Sequence, residues 1–537
     1  MNNPFGKDVA NLELFRALAA HGGFEQIACL SQASITDADL RAGLLGDTPG
    51  GAALTTGSLL NQGQVAQSGA LLRGTAALAD IAWVRRRAVG DRGYSLMGLV
   101  HTLAPPALRQ DMAAAATAPL QPWDALICTS PSVQSALHAM LDEQAAFLGS
   151  RFGGTANPKP HLPLIPLGVD LAAIAARADR PEVRARLRQE LGLAAEDVLV
   201  LWLGRLSFFE KAAPQPMFRA VQEAAQASGV RVCFAMLGWF PNGEDDRKRY
   251  QQAAEAYAPG VDVRFLDGND QGRVGEFWAA SDIFLSLVDN IQETFGITPV
   301  EAMAAGLPVV VSDWDGYRYT VVDGEQGFLI PTLGGPAGGP SIASAERHAL
   351  GLEAYQVYVG SLAMHTAVHV GRAAEALMAL IASPDLRATM GRAGRQRVAQ
   401  MLDWPVVARQ YAALVEDLTA LRLASPPDTT QGGLNPIKGD PFRDFAGFPN
   451  QVLGLELTLS VRPGVTEADI ARAQATDLDR FAAGWRCSSQ ECGRVLALLT
   501  PAPLTARDIL LAFPVERRRA VQMGLMWMCK LGMLDWL

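Results

Sequence analysis

The chain has 537 residues, 49% of them apolar, and a formal net charge of −9 at pH 7. That length calls for more than one domain with its own core, and the acidic balance argues against nonspecific nucleic-acid binding. Six scattered cysteines, of which only Cys487 and Cys492 are close in sequence, fit reduced thiols in a cytoplasmic protein, and no run of ~18 uninterrupted apolar residues is present to span a membrane.

In chain order, Asp8 to Ala20 reads as an amphipathic helix with Leu12, Phe15 and Leu18 toward a core and Gly22-Gly23 ending it. Gln26 to Leu30 follows as a strand. A doubly wound domain places its first strand before such a helix. Only MNNPFGK stands there, so the start is expected to lie downstream of the true one, or the first strand to have been lost. Ala70 to Arg87 is helical in pattern and closes with Trp83 and Arg85-Arg86-Arg87, with Arg92 beyond. Such a cluster suits either a solvated helix end favoured by the dipole or contact with anionic lipid headgroups. Tyr94 to Leu103 is a buried strand ending near His101. Trp123 to Thr129 is the next, with Ser130-Pro131-Ser132 opening a helix, and Leu162 to Leu167 another, ending in Gly168-Val169-Asp170. Asp170 suits a turn or a cap.

The second half alternates strand and helix as a parallel sheet requires. Asp197 to Leu203 is a buried strand leading into Gly204-Arg205-Leu206, with Lys211 six residues past the arginine. Val232 to Leu237 and Val261 to Leu266 continue the pattern. Ile283 to Leu287 is a short buried strand; Thr298-Pro299-Val300-Glu301 then announces a helix with a Thr N-cap, Pro at its first position and Glu as capping-box partner. That helix stops at Gly306, and Val309 to Val311 opens another strand. On one continuous helix Glu293 and Glu301 would sit about 12 Å apart. The loop Thr294-Phe295-Gly296-Ile297 intervenes, so both can turn toward one cleft at a helix N-terminus, where free N–H groups suit a phosphate. As single residues, Glu293 reads equally as a solvated loop acid, Glu301 as a capping partner, and Arg205 and Lys211 as surface charges. Asp313-Trp314-Asp315 mimics a metal-binding DxD but follows a buried strand, and reads as a turn.

Taken together, ETFGITPVEAMAAGLPVVVSD and the following DGEQGFLIP resemble the E-x7-E signature of retaining glycosyltransferases of the GT-B fold, specifically glycosyltransferase family 4. The resemblance covers about residues 94–421 and is densest over 281–331. It implies an α/β fold of two Rossmann-like domains facing across a cleft. It also implies transfer of a sugar from a nucleotide-sugar donor to a glycan, polysaccharide or lipid-linked acceptor hydroxyl, with the donor as substrate and no cofactor or metal. By the same resemblance, Glu301 holds the ribose hydroxyls and Glu293 the sugar hydroxyls. Backbone of Phe295, Gly296, Ile297 and Thr298 lines the sugar and phosphates, Gly204-Arg205 and Lys211 hold the diphosphate, and His101 contacts the donor sugar. Fixed cations around a leaving diphosphate favour the transition state over the ground state. The family's glycine after the lysine is here Ala212-Ala213-Pro214. Two other readings share the motif set: a sugar-nucleotide epimerase or phosphorylase on the same fold, and a non-catalytic nucleotide- or glycan-binding relative.

The expected domains are residues 1–170 (acceptor side), 171–403 (donor side), a helix 404–422 crossing back, a linker 423–450 and a small helical, winged-helix-like module 451–537. Residues 332–369 read as an insertion, loop then helix. The module's helices are expected at Thr466–Ala483, Glu491–Leu499, from Pro503, and at Val515–Leu534. It suits a protein partner or self-association; Arg517-Arg518-Arg519 is too little to make nucleic acid the partner.

Overall fold

The computed structural model describes residues 6–30, 35–46, 51–154, 160–426 and 432–537. Residues 1–5 of the expected start and 427–431 of the expected linker lie outside the described residues. The chain divides into two compact units, Met1–Asn435 and Pro436–Leu537.

The first unit holds two α/β lobes. In the second lobe, six parallel strands form one sheet: β6 (Val198–Leu203), β7 (Val232–Gly238), β8 (Asp262–Asp267), β9 (Ile283–Ser286), β10 (Val309–Ser312) and β11 (Gly327–Ile330). Sequences such as VLVLWL and VCFAMLG are apolar throughout because both faces of this sheet are covered by helices. Their order is β11-β10-β9-β6-β7-β8. The chain builds outward from β6, then returns to lay β9 on its other side. The carboxyl ends of β6 and β9 are therefore the switch point of the sheet, the place where open parallel sheets bind ligands.

In the first lobe the sheet comes in two pieces. β1 (Gln26–Leu30) pairs with β2 (Ala53–Gly57), and β3 (Ala70–Arg73), β4 (Ser95–Leu99) and β5 (Ala125–Ile127) form a second parallel set. Among the described residues no strand joins β1 to β3. β4 and β5 are fully buried, whereas every residue of β3 is only half-buried. Ala70 to Arg87 is thus not one helix: glycines bracket a strand, and the helix begins at Ala79 and ends at Val89. Leu162 to Leu167 makes only isolated bridges, at His161 and Leu164. In the first helix, Gly6–His21, Leu14 rather than Leu12 faces the core. The helix Trp404–Ala424 lies against the first lobe, where its Arg422 bonds the Arg92 carbonyl at 3.0 Å and Ser95 Oγ at 3.3 Å. Asp170 caps the helix Leu171–Ala178 through the Ala173 N–H.

The Arg85-Arg86-Arg87 cluster does not form a free basic patch. Arg85 is fully buried and bidentate on Asp124, at 2.6 and 2.8 Å, and Arg86 pairs with Asp91. The insertion after β11 holds two helices, Pro340–Ala349 and Tyr355–Ala363, closed at its base by a two-residue antiparallel pair, β12 (Thr332–Leu333) with β13 (Ala367–Val368).

The second unit carries helices Glu467–Ala475, Ser489–Leu499, Ala506–Leu511 and Arg518–Lys530 around its own apolar cluster. It also holds a three-stranded antiparallel sheet that its sequence pattern does not reveal: β14 (Thr458–Val461) between β15 (Leu504–Thr505) and β16 (Leu534–Trp536). Arg517 is taken up by Glu491 at 2.7 Å, and Arg518 donates to the Phe513 carbonyl.

Candidate functional site at the switch point of the second sheet

Two loops leave the carboxyl ends of the adjacent strands β6 and β9, and between them they carry most of the expected side chains. After β6, Gly204 turns the chain with φ 154 and donates its N–H to Leu237 O. Arg205 follows, its Nη1 2.6 Å from Glu210 Oε2. Lys211 reaches across to Glu293, with 2.9 Å between Nζ and Oε2.

Glu293 belongs to the β9 loop, and its other oxygen accepts the Gly296 N–H at 3.0 Å. Burial pushes its carboxyl up, but the Lys211 ammonium and the N–H groups of Gly296 and Phe295 outweigh that and hold it below the ordinary glutamate value. Glu293 is therefore an ionised acceptor. The helix Ile297–Ala304 opens at Gly296, in the left-handed region at φ 79. This corrects the expected cap: Gly296, not Thr298, is the N-cap residue, no side chain caps it, and Glu301 makes no capping box. A side chain at Gly296 would also strike the Tyr317 ring, 1.6 Å from Cε1. Only glycine allows both the turn and that close approach. Tyr317 shares a hydrogen bond with Ser286 at the end of β9.

Glu301 lies one helical turn further on, half-buried. Burial lifts its carboxyl to about 7, with Arg177 pulling the other way. Its electrostatic neighbour is thus Arg177, whereas Glu293 is matched to Lys211.

The first lobe meets this loop directly. Thr294 Oγ1 donates to the His101 carbonyl at 2.6 Å, and Thr129 Oγ1 donates to the Thr294 carbonyl at 3.4 Å. The His101 main chain therefore abuts the residue next to Glu293. Its imidazole turns to the first helix: Nε2 lies 2.8 Å from Asn11 Oδ1, while Asn11 Nδ2 donates to Gly74 O. Since the amide nitrogen is committed to Gly74, we assign the proton to Nε2. Burial, helped by Lys7, lowers the His101 pKa to about 4, so the ring is neutral. Asp313 and Asp315 diverge: Asp313 holds Arg318, while Asp315, at φ 32, accepts from Ser130 Oγ at 2.5 Å.

The structure thus places Gly204, Arg205 and Lys211 on the loop after β6 and Glu293, Phe295 and Gly296 on the loop after β9, joined through Lys211 and Glu293, with the His101 backbone against the second loop. Glu301 has Arg177 as its charged neighbour, whereas Glu293 has Lys211. Residue types did not point to Thr294, Tyr317, Asp289, Asn290 or Gln292. The only signal available was that Asp289-Asn290 ends an apolar run beside the glutamate.

Residues 183–333 match the family model for "Glycosyl transferases group 1". The chain is similar to D-inositol 3-phosphate glycosyltransferase of Corynebacterium kroppenstedtii, 27% identical over 248 residues, which are 45% of this chain and 53% of that protein. With phosphatidyl-myo-inositol mannosyltransferase of Mycobacterium leprae it shares 31% identity over 189 residues, 35% of this chain and 40% of the relative. The chain spans about half or less of the length of such relatives. Among solved structures, Anabaena HepE in complex with UDP and glucose aligns with 78% of this chain and 97% of its own, at 17% identity and a TM-score of 0.49.

Proposed function

We propose that the protein is a retaining, nucleotide-sugar-dependent glycosyltransferase whose donor lies at the carboxyl ends of β6 and β9. The observation that carries this reading is the Lys211–Glu293 pair at the switch point, with Arg205 beside it. The family match over 183–333, and relatives named as glycosyl- and mannosyltransferases, support the same chemistry.

In this reading Arg205 and Lys211 receive the diphosphate, Arg by bidentate bonds and Lys as a point charge. Gly204 and the backbone of Phe295-Gly296-Ile297-Thr298 shape the pocket at the helix N-terminus. Glu293, ionised, accepts from sugar hydroxyls, and Glu301 from the ribose. His101, neutral with Nε2–H committed to Asn11, can touch the donor sugar but brings it no charge. No carboxylate is assigned as a nucleophile. The leaving diphosphate takes the acceptor's proton on the same face of the sugar, so the anomeric configuration is kept without a glycosyl-enzyme.

A thermal-shift screen of the full chain against nucleoside diphosphates and nucleotide sugars tests this first. A ligand at 100 times its Kd should add about 2.7 kcal/mol of stability. With the donor in hand, Lys211→Ala and Glu293→Ala should each lower turnover by about 10²–10³-fold. Unchanged rates in both variants would sink the assignment. Formation of a sugar phosphate or an epimer in place of a glycoside would move it to another reaction, and a glycosyl adduct on Glu293 would overturn the mechanism.

A further inference from the structure

The loop that carries Arg205 and Lys211 folds on a few bonds of its own, Arg205 to Glu210 and the Glu210 and Lys211 N–H groups to Ser207, but it is also held from outside. Its helix, Pro214–Ser228, has Ala213 at the N-cap, and no side chain there bonds the first turn. Besides the Leu206 N–H on the Trp239 carbonyl, a set of outside bonds comes from the segment after β9. Asn290 Nδ2 donates to the Phe209 carbonyl at 2.9 Å, and Gln292 Nε2 points at the Glu210 carbonyl at 3.5 Å. Glu293 takes Lys211, and the two carboxylate oxygens of Asp289 face the Ala213 N–H at 3.3 and 3.4 Å. Asp289 thus takes up the N–H of the N-cap residue itself, the group that a capping-box side chain would otherwise receive.

Asn290 is the centre of this clasp. It is fully buried. Its Oδ1 accepts the Gln292 N–H at 3.0 Å and its carbonyl accepts the Glu293 N–H at 3.1 Å. One residue therefore folds the turn that presents Glu293 and, through Phe209, holds the loop that presents Lys211.

We propose that Asn290 is a positioning residue that sets the spacing between Lys211 and Glu293, keeping the phosphate-binding cation and the sugar-binding carboxylate in register before a donor arrives. The inference rests on the donor-site reading above. The amide is required because it donates to one loop while accepting within the other. A carboxylate could do only the second, and would face the Phe209 carbonyl with a repelling oxygen.

The test compares Asn290→Asp, Asn290→Ala and Lys211→Ala in the full chain, with binding of UDP, GDP and ADP measured by calorimetry and the melting temperature recorded for each. Both Asn290 variants should bind the preferred diphosphate at least about tenfold more weakly in the folded protein, the loss expected when a charged hydrogen bond to a phosphate is misplaced. The Asp variant, which keeps the turn, should fare no better than Ala. A residue with a structural role only would lower the melting temperature and leave the dissociation constant alone. Wild-type affinity in Asn290→Asp, together with weakened binding in Lys211→Ala, overturns the positioning role and leaves the donor site standing. Wild-type affinity in Lys211→Ala, or no diphosphate bound by the unaltered chain, overturns the donor site and this proposal with it. If the Asn290 variants fold poorly, Gln292→Ala carries the test. It should speed amide hydrogen exchange across 207–213 several-fold at an unchanged melting temperature, and unchanged exchange there overturns the clasp.

Discussion

Both lobes of the first unit tie down the amino end of the sheet with an aspartate set one residue before a strand, and they do it with different dryness. In the first lobe Asp124 precedes β5. It accepts the Leu96 N–H of neighbouring β4 and a bidentate Arg85 that also donates to the carbonyls of Tyr94 and Pro119, and both side chains are fully buried. In the second lobe Asp282 precedes β9. It accepts the Leu199 N–H of neighbouring β6 and is shared by Arg188 and Arg184, the latter 38% exposed. The same device is sealed where the sheet is broken and partly wet where the sheet is continuous. The first lobe's smaller sheet leans on one internal ion pair. The second spreads the load over six strands.

The largest expected effect follows from that contrast. Asp124→Ala would strand a buried guanidinium and should destabilise the protein by about 3–5 kcal/mol. Asp282→Ala should cost about 1.5–3 kcal/mol, since the half-exposed Arg184 can turn to water. Urea unfolding, with hydrogen exchange read on β4 and β6 separately, checks both. Equal losses would break the comparison.

The contrast also explains what could be read from the chain beforehand. The second lobe was legible because strands buried on both faces are written as unbroken apolar runs, and its site residues are charges and glycines placed just past the strand ends. The first lobe was harder for physical reasons. Ala70-Leu71-Leu72-Arg73 has no β-branched residue and reads as helix by propensity, yet pairing with β4 wins. Three consecutive arginines look like a solvated end, but residues on a helix are about 100° apart, so three in a row point three ways and one of them can face the core. Arg85 is that one. At the site, Thr298 looked like the cap because Pro299 and Glu301 follow it at capping spacing. A glycine able to take a positive φ begins the helix two residues sooner. The clasp from Asp289, Asn290 and Gln292 was invisible because it bonds to backbone, which no side-chain spacing encodes.

The two glutamates of the site make a second, smaller contrast, since their environments shift them in opposite directions. Glu293 is held low, so its contribution to stability is present above the ordinary glutamate pKa near 4.5 and lost as the pH falls through its lowered value. Glu301 is raised to about 7. Its penalty is absent below about 4.5, grows between 4.5 and 7 and is complete above 7, so the unliganded fold weakens over that window. If its carboxylate accepts the ribose hydroxyls, donor binding must pull a proton off it. Donor affinity should then be flat above pH 7 and fall by up to about tenfold per pH unit below it. Calorimetry in buffers of different ionisation enthalpy would show the released proton. In Glu301→Gln the affinity should be lower and independent of pH across the same range. A wild-type profile already flat from pH 5.5 to 8 would remove Glu301 from the ribose.

The smallest expected effect lies where the two lobes touch. Thr294 is buried between Glu293 and Phe295, and its hydroxyl is the shorter of its two bonds to the first lobe. Thr294→Val keeps the shape, removes the donor and leaves the His101 carbonyl facing a methyl group. The carbonyl of residue 294 still accepts from Thr129, so the loop stays docked by its weaker tie. The loss should be about 1 kcal/mol, shared between the fold and the placement of Glu293, and Thr294→Ser should recover most of it. Were the loop held by the second lobe alone, through Lys211, Tyr317 and the Asn290 clasp, Thr294→Val would leave both melting temperature and donor affinity unchanged. A drop in donor affinity that Ser restores would instead make the first lobe part of what aims Glu293.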